Sequence, residues 1–266
     1  MAGSEVGAAM AYATRGGKRL RGFLVVEAAE VCGGAPGEPI RAAAAIECLH
    51  AYSLIHDDLP SMDDDDHRRG QPTVHIKWDE ATAVLAGDAL QSLAFELLAH
   101  PACHPDASVR ATLCLSLARA AGAGGMVLGQ AQDIAAESAD APLSLDQITE
   151  LQSNKTGALI EWSATAGARL AGADPTPLRQ YAQAVGLAFQ IADDILDIEG
   201  DTQIAGKRLR KDAEAGKATF VSHLGLDGAK DRARQLVAQA QDAVAPFGHR
   251  ADSLRQLAEF VISRQS

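Results

Sequence analysis

Apolar residues recur at helical spacing along nearly the whole chain, and the strict alternation typical of strands is essentially absent. Glycine and proline divide this pattern into segments. The predicted helices run from Phe23 to Val31, Ile40 to Asp58, Asp79 to His100, Val109 to Ile134, Ser144 to Ala171, Pro177 to Asp197, and Lys217 to the end. The stretch from Gly200 to Gly216 is the predicted loop, because it is rich in glycine and lysine.

Two local patterns add detail to the predicted helices. Ser144 with Gln147 three residues later predicts a capping box at the start of a helix. The glycines from Gly122 to Gly129 predict close helix packing or a kink. No repeat or linker divides the chain, so residues 1–266 are expected to form one all-α bundle of about ten helices.

The composition and the net charge exclude some classes of function. Apolar residues make up 47% and aromatics only 4%, so the core must consist mainly of Ala, Leu, Val and Ile. A net charge of −11 argues against nucleic acid as a general partner, because phosphate backbones need a basic face. The four cysteines have no CxxC spacing, which indicates reduced core residues in a cytosolic protein. No apolar stretch is expected to span a bilayer, and no signal peptide is evident.

Two clusters of carboxylates follow apolar helical text. The first contains Asp57, Asp58 and Asp63 and continues through 64–66, for which a solvated acidic surface is an equally good interpretation. The second contains Asp193, Asp194 and Asp197. Asp193 and Asp197 are four residues apart and share one face of a helix. Carboxylates beside buried surface are costly unless a hard divalent cation compensates their charge.

Basic residues accompany the acidic clusters. They are Lys18, Arg19, Arg21, Arg68, Arg69, Lys207, Arg208, Arg210 and Lys211, with Lys155 and Lys217 standing alone. Mg²⁺ usually binds through a few carboxylates and substrate phosphates, and Arg and Lys beside such a site hold the phosphates. The combination favours a diphosphate substrate bridged by Mg²⁺, although surface ion pairs are an alternative for any single base.

An ordered set of motifs covers the chain from about Gly16 onward. It comprises Gly16-Gly17-Lys18-Arg19-Leu20-Arg21, His50 to Pro60, Asp57 to Asp63 with Arg68-Arg69-Gly70, Gly87-Asp88-Ala89-Leu90, Gly129-Gln130, Lys155-Thr156-Gly157, Phe189 to Asp197, Gly206-Lys207 and Gly216-Lys217. These motifs resemble the trans-type isoprenyl diphosphate synthases, and among them the bacterial farnesyl diphosphate synthases. The resemblance implies an isoprenoid synthase bundle with a central cavity, a polyprenyl synthetase domain over residues 1–266, and a cytoplasmic homodimer without membrane insertion.

The resemblance also implies roles for individual residues. The implied metal set is Asp57, Asp58, Asp63, Asp193 and, acting through water, Asp197, holding three Mg²⁺ ions on an allylic diphosphate. Residues implied to contact that diphosphate are Arg68, Lys155, Lys207 and Lys217. Residues implied for the isopentenyl diphosphate pocket are Lys18, Arg21, His50 and Arg69. Thr156 and Gln190 would lie near the reacting carbons. The predicted catalytic residues are therefore Asp57, Asp58, Asp63, Lys155, Thr156, Gln190, Asp193 and Lys207.

The implied reaction joins isopentenyl diphosphate to dimethylallyl or geranyl diphosphate by ionisation, condensation and elimination. The released diphosphate would take the proton, so His50 is interpreted as a phosphate-binding group, with plain helix packing as the alternative. Tyr52, five residues before Asp57, and the insertion Pro60-Ser61 predict a C15 product. Tyr52 could instead be an ordinary core residue, and C10 or C20 products stay open.

The chain departs from the family pattern at three places. Gly22 stands where the family usually has proline, and extra bases follow Lys207. The family also has another helix before Ser4, most of which this chain is expected to lack.

Three rival functions are also considered for this sequence. A class I terpene cyclase would carry a second motif of the type N-D-x-x-S/T-x-x-x-E, which differs from Asp193 to Asp197. A non-catalytic partner subunit would tend to lose one acidic motif, and both are complete. A divalent-cation-binding structural protein would not need the ordered Lys and Arg positions.

Overall fold

The computed structural model describes residues 3–35, 37–139, 141–199 and 218–264 of the 266-residue chain. These residues are mostly helical, which confirms the predicted all-α fold of about ten helices. The helices are α1 (Glu5–Ala13), α2 (Leu20–Val31), α3 (Ile40–Asp57), α4 (Val74–Lys77), α5 (Glu80–Ala99), α6 (Ala107–Ala121), α7 (Met126–Glu137), α8 (Leu145–Gln152), α9 (Ala158–Leu170), α10 (Thr176–Glu199), α11 (Phe220–Ala243) and α12 (Asp252–Ser263). A π-helical turn covers Ser153–Gly157, and a 3₁₀ segment covers Ala245–Ala251.

Local signals explain several helix ends. The Oγ of Ser144 accepts from Gln147 N at 3.3 Å and Gln147 Oε1 accepts from Ser144 N at 2.9 Å, so the predicted capping box is present. Asp79 caps α5 by accepting from Thr82 N at 2.6 Å. The expected single run from Val109 to Ile134 is wrong, because the glycine-rich stretch 122–125 ends α6 and separates it from α7. Each glycine inside a helix costs about 1 kcal/mol relative to alanine.

A short hairpin lies outside the helical prediction. Strand β1 (His67–Arg68) pairs antiparallel with β2 (Gln71–Pro72). Arg69 and Gly70 form the two-residue turn, with φ values of 54° and 72°. Such a turn needs positive φ at both central positions, and its twist suits paired strands. Each strand has only two residues, so the sequence offered no alternation to detect.

The long helices pack in a continuous series. Helix α5 lies along α3, α3 against α2, α2 along α9, α9 against α10, and α10 along α11. One buried cluster joins α1, α3, α5 and α6 around Leu49, Leu90 and Leu113. A second joins α2 and α9–α12 around Val185 and Leu254. Burying one such side chain contributes about 1.5–3 kcal/mol, and aliphatic residues dominate both clusters as the composition predicts.

Two helical stretches, Glu80–Ala99 and Ala107–Glu137, are long and apolar enough to cross a membrane by length and composition alone. The expectation that no such stretch exists was therefore wrong on that criterion. The first stretch is α5, whose Leu90, Ala94 and Leu98 are buried against the bundle, and glycines break the second between α6 and α7. Core helices pass the same test, so the finding is weak evidence for a membrane span.

Some expectations fall on residues outside the described ranges. The loop predicted from Gly200 to Gly216 lies there, as do Lys207 and Lys217. The four cysteines are all described as free thiols. The expected core position holds for Cys103, which is buried, whereas Cys32, Cys48 and Cys114 are half-buried.

Candidate active site

The first acidic cluster lies at the end of α3. Asp57 is the last residue of this helix, and the chain then turns back so that Asp63 N donates to Asp57 O at 2.9 Å. Burial, together with the nearby Asp63 carboxylate, raises the pKa of Asp57 to about 6. Two carboxylates that disfavour each other's charge form a site that a cation would stabilise.

Asp58 is engaged differently from its neighbour Asp57. Its Oδ1 accepts from Arg68 Nε at 2.7 Å and lies 2.5 Å from Arg68 Nη2. The residue is only 3% exposed, and burial raises the pKa of Asp58 while the bonds from Arg68 oppose the rise. This pair ties the β1–β2 hairpin to the end of α3. The predicted role of Asp58 as a metal ligand stays a prediction.

The two consecutive arginines of the hairpin point to different partners. Arg68 reaches Asp58, whereas the guanidinium of Arg69 lies against Gly17. A Cβ added at Gly17 would stand 2.6 Å from Arg69 Nη1, and Gly17 has a φ of +74°. The guanidinium could move aside for a Cβ, but the positive φ itself favours glycine here. The turn at Arg69 therefore brings the hairpin to the start of α2.

Four basic side chains, Arg21, His50, Arg68 and Arg69, interact here, and we call them the basic cluster. Arg21 Nη1 lies 3.3 Å from His50 Nε2. Because arginine can only donate, His50 Nε2 must accept, which requires a neutral ring. Burial and then the charges of the three arginines hold the pKa of His50 well below its usual value.

Arg21 is less well compensated than Arg68, which pairs with Asp58. Burial lowers the pKa of Arg21 to about 10, with Glu47 opposing the shift and Arg69 adding to it. Arg21 Nε is also buried without a hydrogen-bond partner. A buried donor in this state costs free energy that a bound anion would recover. The cluster is therefore suited to a diphosphate.

Glu47 explains how the chain accommodates Gly22. Gly22 N lies in the first turn of α2 and donates to Glu47 Oε1 at 2.8 Å, while Arg19 Nη1 lies 3.9 Å from Glu47 Oε2. Proline has no N–H and could not make the first bond. The departure from the family pattern at Gly22 is thus matched by a side chain that caps the helix.

Lys155 and Thr156 lie in the π-helical turn between α8 and α9, a distortion often found at functional sites. Lys155 Nζ lies 2.6 Å from Asp133 Oδ2 on α7. A Cβ added at Gly129 would stand 2.1 Å from Lys155 N, so glycine is required for α7 to approach this closely. Lys155 also opposes the rise in the pKa of Asp57, which places its charge near the first acidic cluster.

The second acidic cluster lies near the end of α10, and its three aspartates have different surroundings. Asp193 Oδ1 accepts from Arg264 Nη2 at 2.7 Å. Asp194 Oδ2 accepts from Phe220 N at 2.7 Å and so stabilises the start of α11. Asp197 is half-buried one turn further along the same helix.

Gln190 precedes the second acidic cluster by one turn. Its Nε2 donates to Gln152 Oε1 at 2.5 Å, which joins α10 to the end of α8. This contact places Gln190 next to the π-helical turn that carries Lys155 and Thr156. Three residues predicted near the reacting carbons or the allylic diphosphate are thus brought together.

Tyr52 is buried on α3, with its ring packed edge-on against His56 at a centroid distance of 5.1 Å. Burial, with a smaller effect from Asp88, raises the pKa of the Tyr52 hydroxyl. The residue therefore belongs to the core one and a half turns before Asp57. Its role as the floor of the chain-length pocket stays a prediction.

Lys18 lines a cavity beside the start of α2. This cavity has a volume of about 1260 Å³ and is mainly apolar. Its charged lining residues are Lys18, Arg19, Glu47 and Arg264, and its aromatic lining residues are Phe23, Phe189 and Phe260. Lys18 Nζ stands 5.9 Å from the centroid of the Phe260 ring. No aspartate of either acidic cluster lines this cavity, so the central cavity that the resemblance implies stays a prediction.

The donor set fits Mg²⁺. Asp57 and Asp63 offer carboxylate oxygens, the ligands that this hard ion prefers. Among the residues that the structure describes, no three His, Cys, Asp or Glu side chains lie close enough to hold a metal by themselves. Mg²⁺ typically completes its coordination with water and substrate phosphates, so a site of this kind is expected to need the diphosphate.

Four residues that sequence reasoning did not assign belong to this site: Glu47, Asp133, Gln152 and Arg264. Asp133 could have been found, because it lies four residues after Gly129 and therefore on the same helical face. Gln152 lies three residues before Lys155, which is a weak signal. Arg264 is 71 residues away from Asp193, and no local pattern connects the two.

A helical bundle that presents paired carboxylates, a basic cluster and a cavity defines a diphosphate-using enzyme of the isoprenoid synthase type. The sequence model described as polyprenyl synthetase matches residues 4–249, and the chain belongs to this family.

Individual relatives of this chain support the same family assignment. The farnesyl diphosphate synthase of Escherichia coli is 46% identical over 259 residues, which cover 94% of this chain and 85% of that protein. The geranylgeranyl diphosphate synthase of Cyanophora paradoxa is 39% identical and covers 94% and 84%. The crystal structure of an FPP/GFPP synthase from Zymomonas mobilis superposes with a TM-score of 0.89 at 48% identity, covering 97% of this chain and 88% of that one.

Proposed function

We propose that the protein condenses isopentenyl diphosphate with dimethylallyl or geranyl diphosphate and releases mainly farnesyl diphosphate. The observation that carries this proposal is the basic cluster beside the Asp57–Asp63 carboxylates, with Arg68 between the two through its bonds to Asp58. One diphosphate would be held by cations alone, and the other by carboxylates through Mg²⁺. A site for two diphosphates suits a condensation of two such substrates.

Residue roles follow from this arrangement. In the proposal, Arg21, His50 and Arg69 hold the isopentenyl diphosphate together with Lys18. Arg68 and Lys155 hold the allylic diphosphate, and Lys207 and Lys217, outside the described residues, are proposed to join them. Thr156 and Gln190 are proposed to line the reacting carbons. Mg²⁺, three ions in the full complex, would be held by Asp57, Asp58, Asp63, Asp193 and Asp197.

The chemistry requires charge stabilisation rather than a strong base. When bound, Mg²⁺ supplies electrostatic stabilisation for the negative charge that grows on the leaving diphosphate. Arg68 and Lys155 add donors to the same oxygens, which lowers the barrier to ionisation. With Nε2 accepting from Arg21, the neutral ring of His50 keeps Nδ1–H to donate to a phosphate oxygen while its neighbours carry the positive charge. The released diphosphate takes the proton at the end.

Product length tests the proposed role of Tyr52. In Tyr52→Ala, the loss of the buried ring should open the pocket, and the main product should shift from C15 to C20 or longer. The measurement is the chain length of dephosphorylated products by mass spectrometry. Tyr12→Ala, which removes a half-buried ring bonded to Pro72 O, is the matched control and should leave C15 as the main product. Unchanged products in Tyr52→Ala would show that another group forms the floor.

The central experiment uses purified protein, Mg²⁺, isopentenyl diphosphate and either dimethylallyl or geranyl diphosphate. Farnesol after dephosphorylation, absent in EDTA, is the expected result. Geranylgeraniol would keep the reaction and overturn the C15 assignment. A folded protein that binds diphosphate with Mg²⁺ but forms no carbon–carbon bond would point to a partner subunit of a prenyl synthase.

A homodimer in the cytosol completes the proposal. Exposed apolar side chains on α5 and α6 support it, namely Val84, Leu85 and Leu115, which are 40%, 53% and 54% exposed. Apolar surface of this kind often marks a protein contact. Sedimentation of the wild type and of Leu85→Glu tests it. A dimeric wild type that dissociates on substitution is the expected result, and a monomeric wild type would contradict it.

A further inference from the structure

Arg264, which directly follows α12, has an unusually complete set of contacts for a residue so far from the acidic motifs in sequence. Its side chain is only 6% exposed. Nη2 donates to Asp193 Oδ1 at 2.7 Å and to Phe189 O at 3.3 Å, and Nε donates to Val261 O at 3.2 Å. The guanidinium carbon lies 3.8 Å from the centroid of the Phe189 ring.

We infer that Arg264 is a positioning residue for Asp193, which rests on the proposed function because Asp193 is there a Mg²⁺ ligand. The bond from Arg264 engages one carboxylate oxygen, Oδ1, and leaves Oδ2 for the metal. Ligating carboxylates are commonly held by a second hydrogen bond, which reduces the rotamer freedom lost when the metal binds. The end of α12 thereby contributes to metal binding through α10.

The alternative is that Arg264 competes with Mg²⁺ for the same carboxylate. The remaining contacts of Arg264 argue against this. Two backbone carbonyls, at Phe189 and Val261, and the face of the Phe189 ring hold the guanidinium in place independently of Asp193. An arginine anchored in this way has no reason to move when the metal arrives, and it offers a fixed donor rather than a mobile counter-ion.

The experiment compares Arg264→Gln with Arg255→Gln, a substitution on α12 that removes the same charge at a residue bonded to Asp252 and Gly248 instead. Calorimetry measures Mg²⁺-dependent binding of inorganic diphosphate to each protein. Steady-state assays measure the Mg²⁺ concentration that gives the half-maximal rate. We expect Arg264→Gln to raise both Mg²⁺ requirements about tenfold, while kcat recovers at saturating Mg²⁺. Arg255→Gln should match the wild type.

Several outcomes would overturn the inference. Unchanged Mg²⁺ binding in a folded Arg264→Gln protein would contradict the inference. Tighter Mg²⁺ binding would contradict it too, because it would show that Arg264 competes with the metal. A loss of kcat that saturating Mg²⁺ does not restore would indicate a direct catalytic role instead. If Arg264→Gln does not fold, Arg264→Lys keeps the charge without the planar fork and should show a smaller shift in the same direction. The calorimetric result is independent of whether the wild type forms farnesyl diphosphate, so failure of the two proposals can be told apart.

Discussion

Burial lowers the pKa of Arg21, His50 and Arg69, which we propose to hold isopentenyl diphosphate. Arg69 adds to the shift at Arg21, and both arginines add to the shift at His50. On the proposed allylic side, two charged groups that the structure describes have an internal partner. Lys155 pairs with Asp133, and Asp193 pairs with Arg264. Asp57 differs from them, because the largest influence on its pKa after burial is the like charge of Asp63.

Under the proposed function, this difference predicts how the two substrates bind. Arg21, His50 and Arg69 would hold an anion without a metal, because cations are already concentrated there. On the proposed allylic side, the Lys155–Asp133 pair would be exchanged for contacts with the diphosphate, and Asp57 with Asp63 would take a cation. We therefore expect the Mg²⁺ dependence of the enzyme to reside almost wholly on the allylic side.

The largest effect is expected for Asp57→Asn. Because Asp57 is a proposed Mg²⁺ ligand, its substitution should lower kcat by about 100- to 1000-fold, the range seen when one electrostatic stabiliser of a transition state is removed. Initial rates with saturating substrates and Mg²⁺ measure it. Asp64→Asn, at an exposed neighbouring position, is the matched control and should remain active. If both variants lost activity equally, the acidic stretch would be acting as a diffuse charge rather than through Asp57.

A smaller effect, confined to one substrate, is expected for Arg69→Gln. Charge-assisted hydrogen bonds contribute about 1.5–3 kcal/mol, so KM for isopentenyl diphosphate should rise about 10- to 100-fold while KM for the allylic substrate stays constant. Arg15→Gln removes an exposed charge nearby and serves as the control. Calorimetry in EDTA adds a direct test. The wild type should still bind isopentenyl diphosphate, and equal Mg²⁺ dependence for both substrates would refute the comparison.

The smallest effect concerns pH and His50. Its pKa is depressed in the folded protein, so the unfolded chain takes up a proton near pH 6.5 that the native ring does not. The neutral ring therefore contributes its full share to the free energy of unfolding above about pH 6.5, and this contribution is lost as the pH falls. Stability should therefore decline by up to about 1.4 kcal/mol per pH unit below about pH 6.5 from this residue.

Urea unfolding of the wild type and of His50→Gln at several pH values measures the difference. His50→Gln should lose less stability on acidification than the wild type. His223→Gln is the control, since that ring lies near Leu143 O, away from the basic cluster. Identical pH slopes for the wild type and His50→Gln would show that the folded ring is protonated as readily as the unfolded one.

Most of the helical framework was predictable because its signals are local. The limits of α3 and α5 follow apolar periodicity and flanking prolines, and Ser144 with Gln147 marks the start of α8 within four residues. The separation of α6 from α7 was missed, since four glycines in an apolar run can either kink a helix or end it, and the local pattern does not distinguish the two.

The sequence by itself determined the all-α fold, the two acidic motifs and the family, because each depends on residue types at short, fixed spacings. The tertiary structure decided which charge meets which. It separated Arg68 from Arg69 at a turn with positive φ, and it joined Asp133 to Lys155 and Arg264 to Asp193 across 22 and 71 residues. The reason is physical: a contact between helices depends on how their faces pack, and packing is a property of the whole folded chain rather than of any local segment.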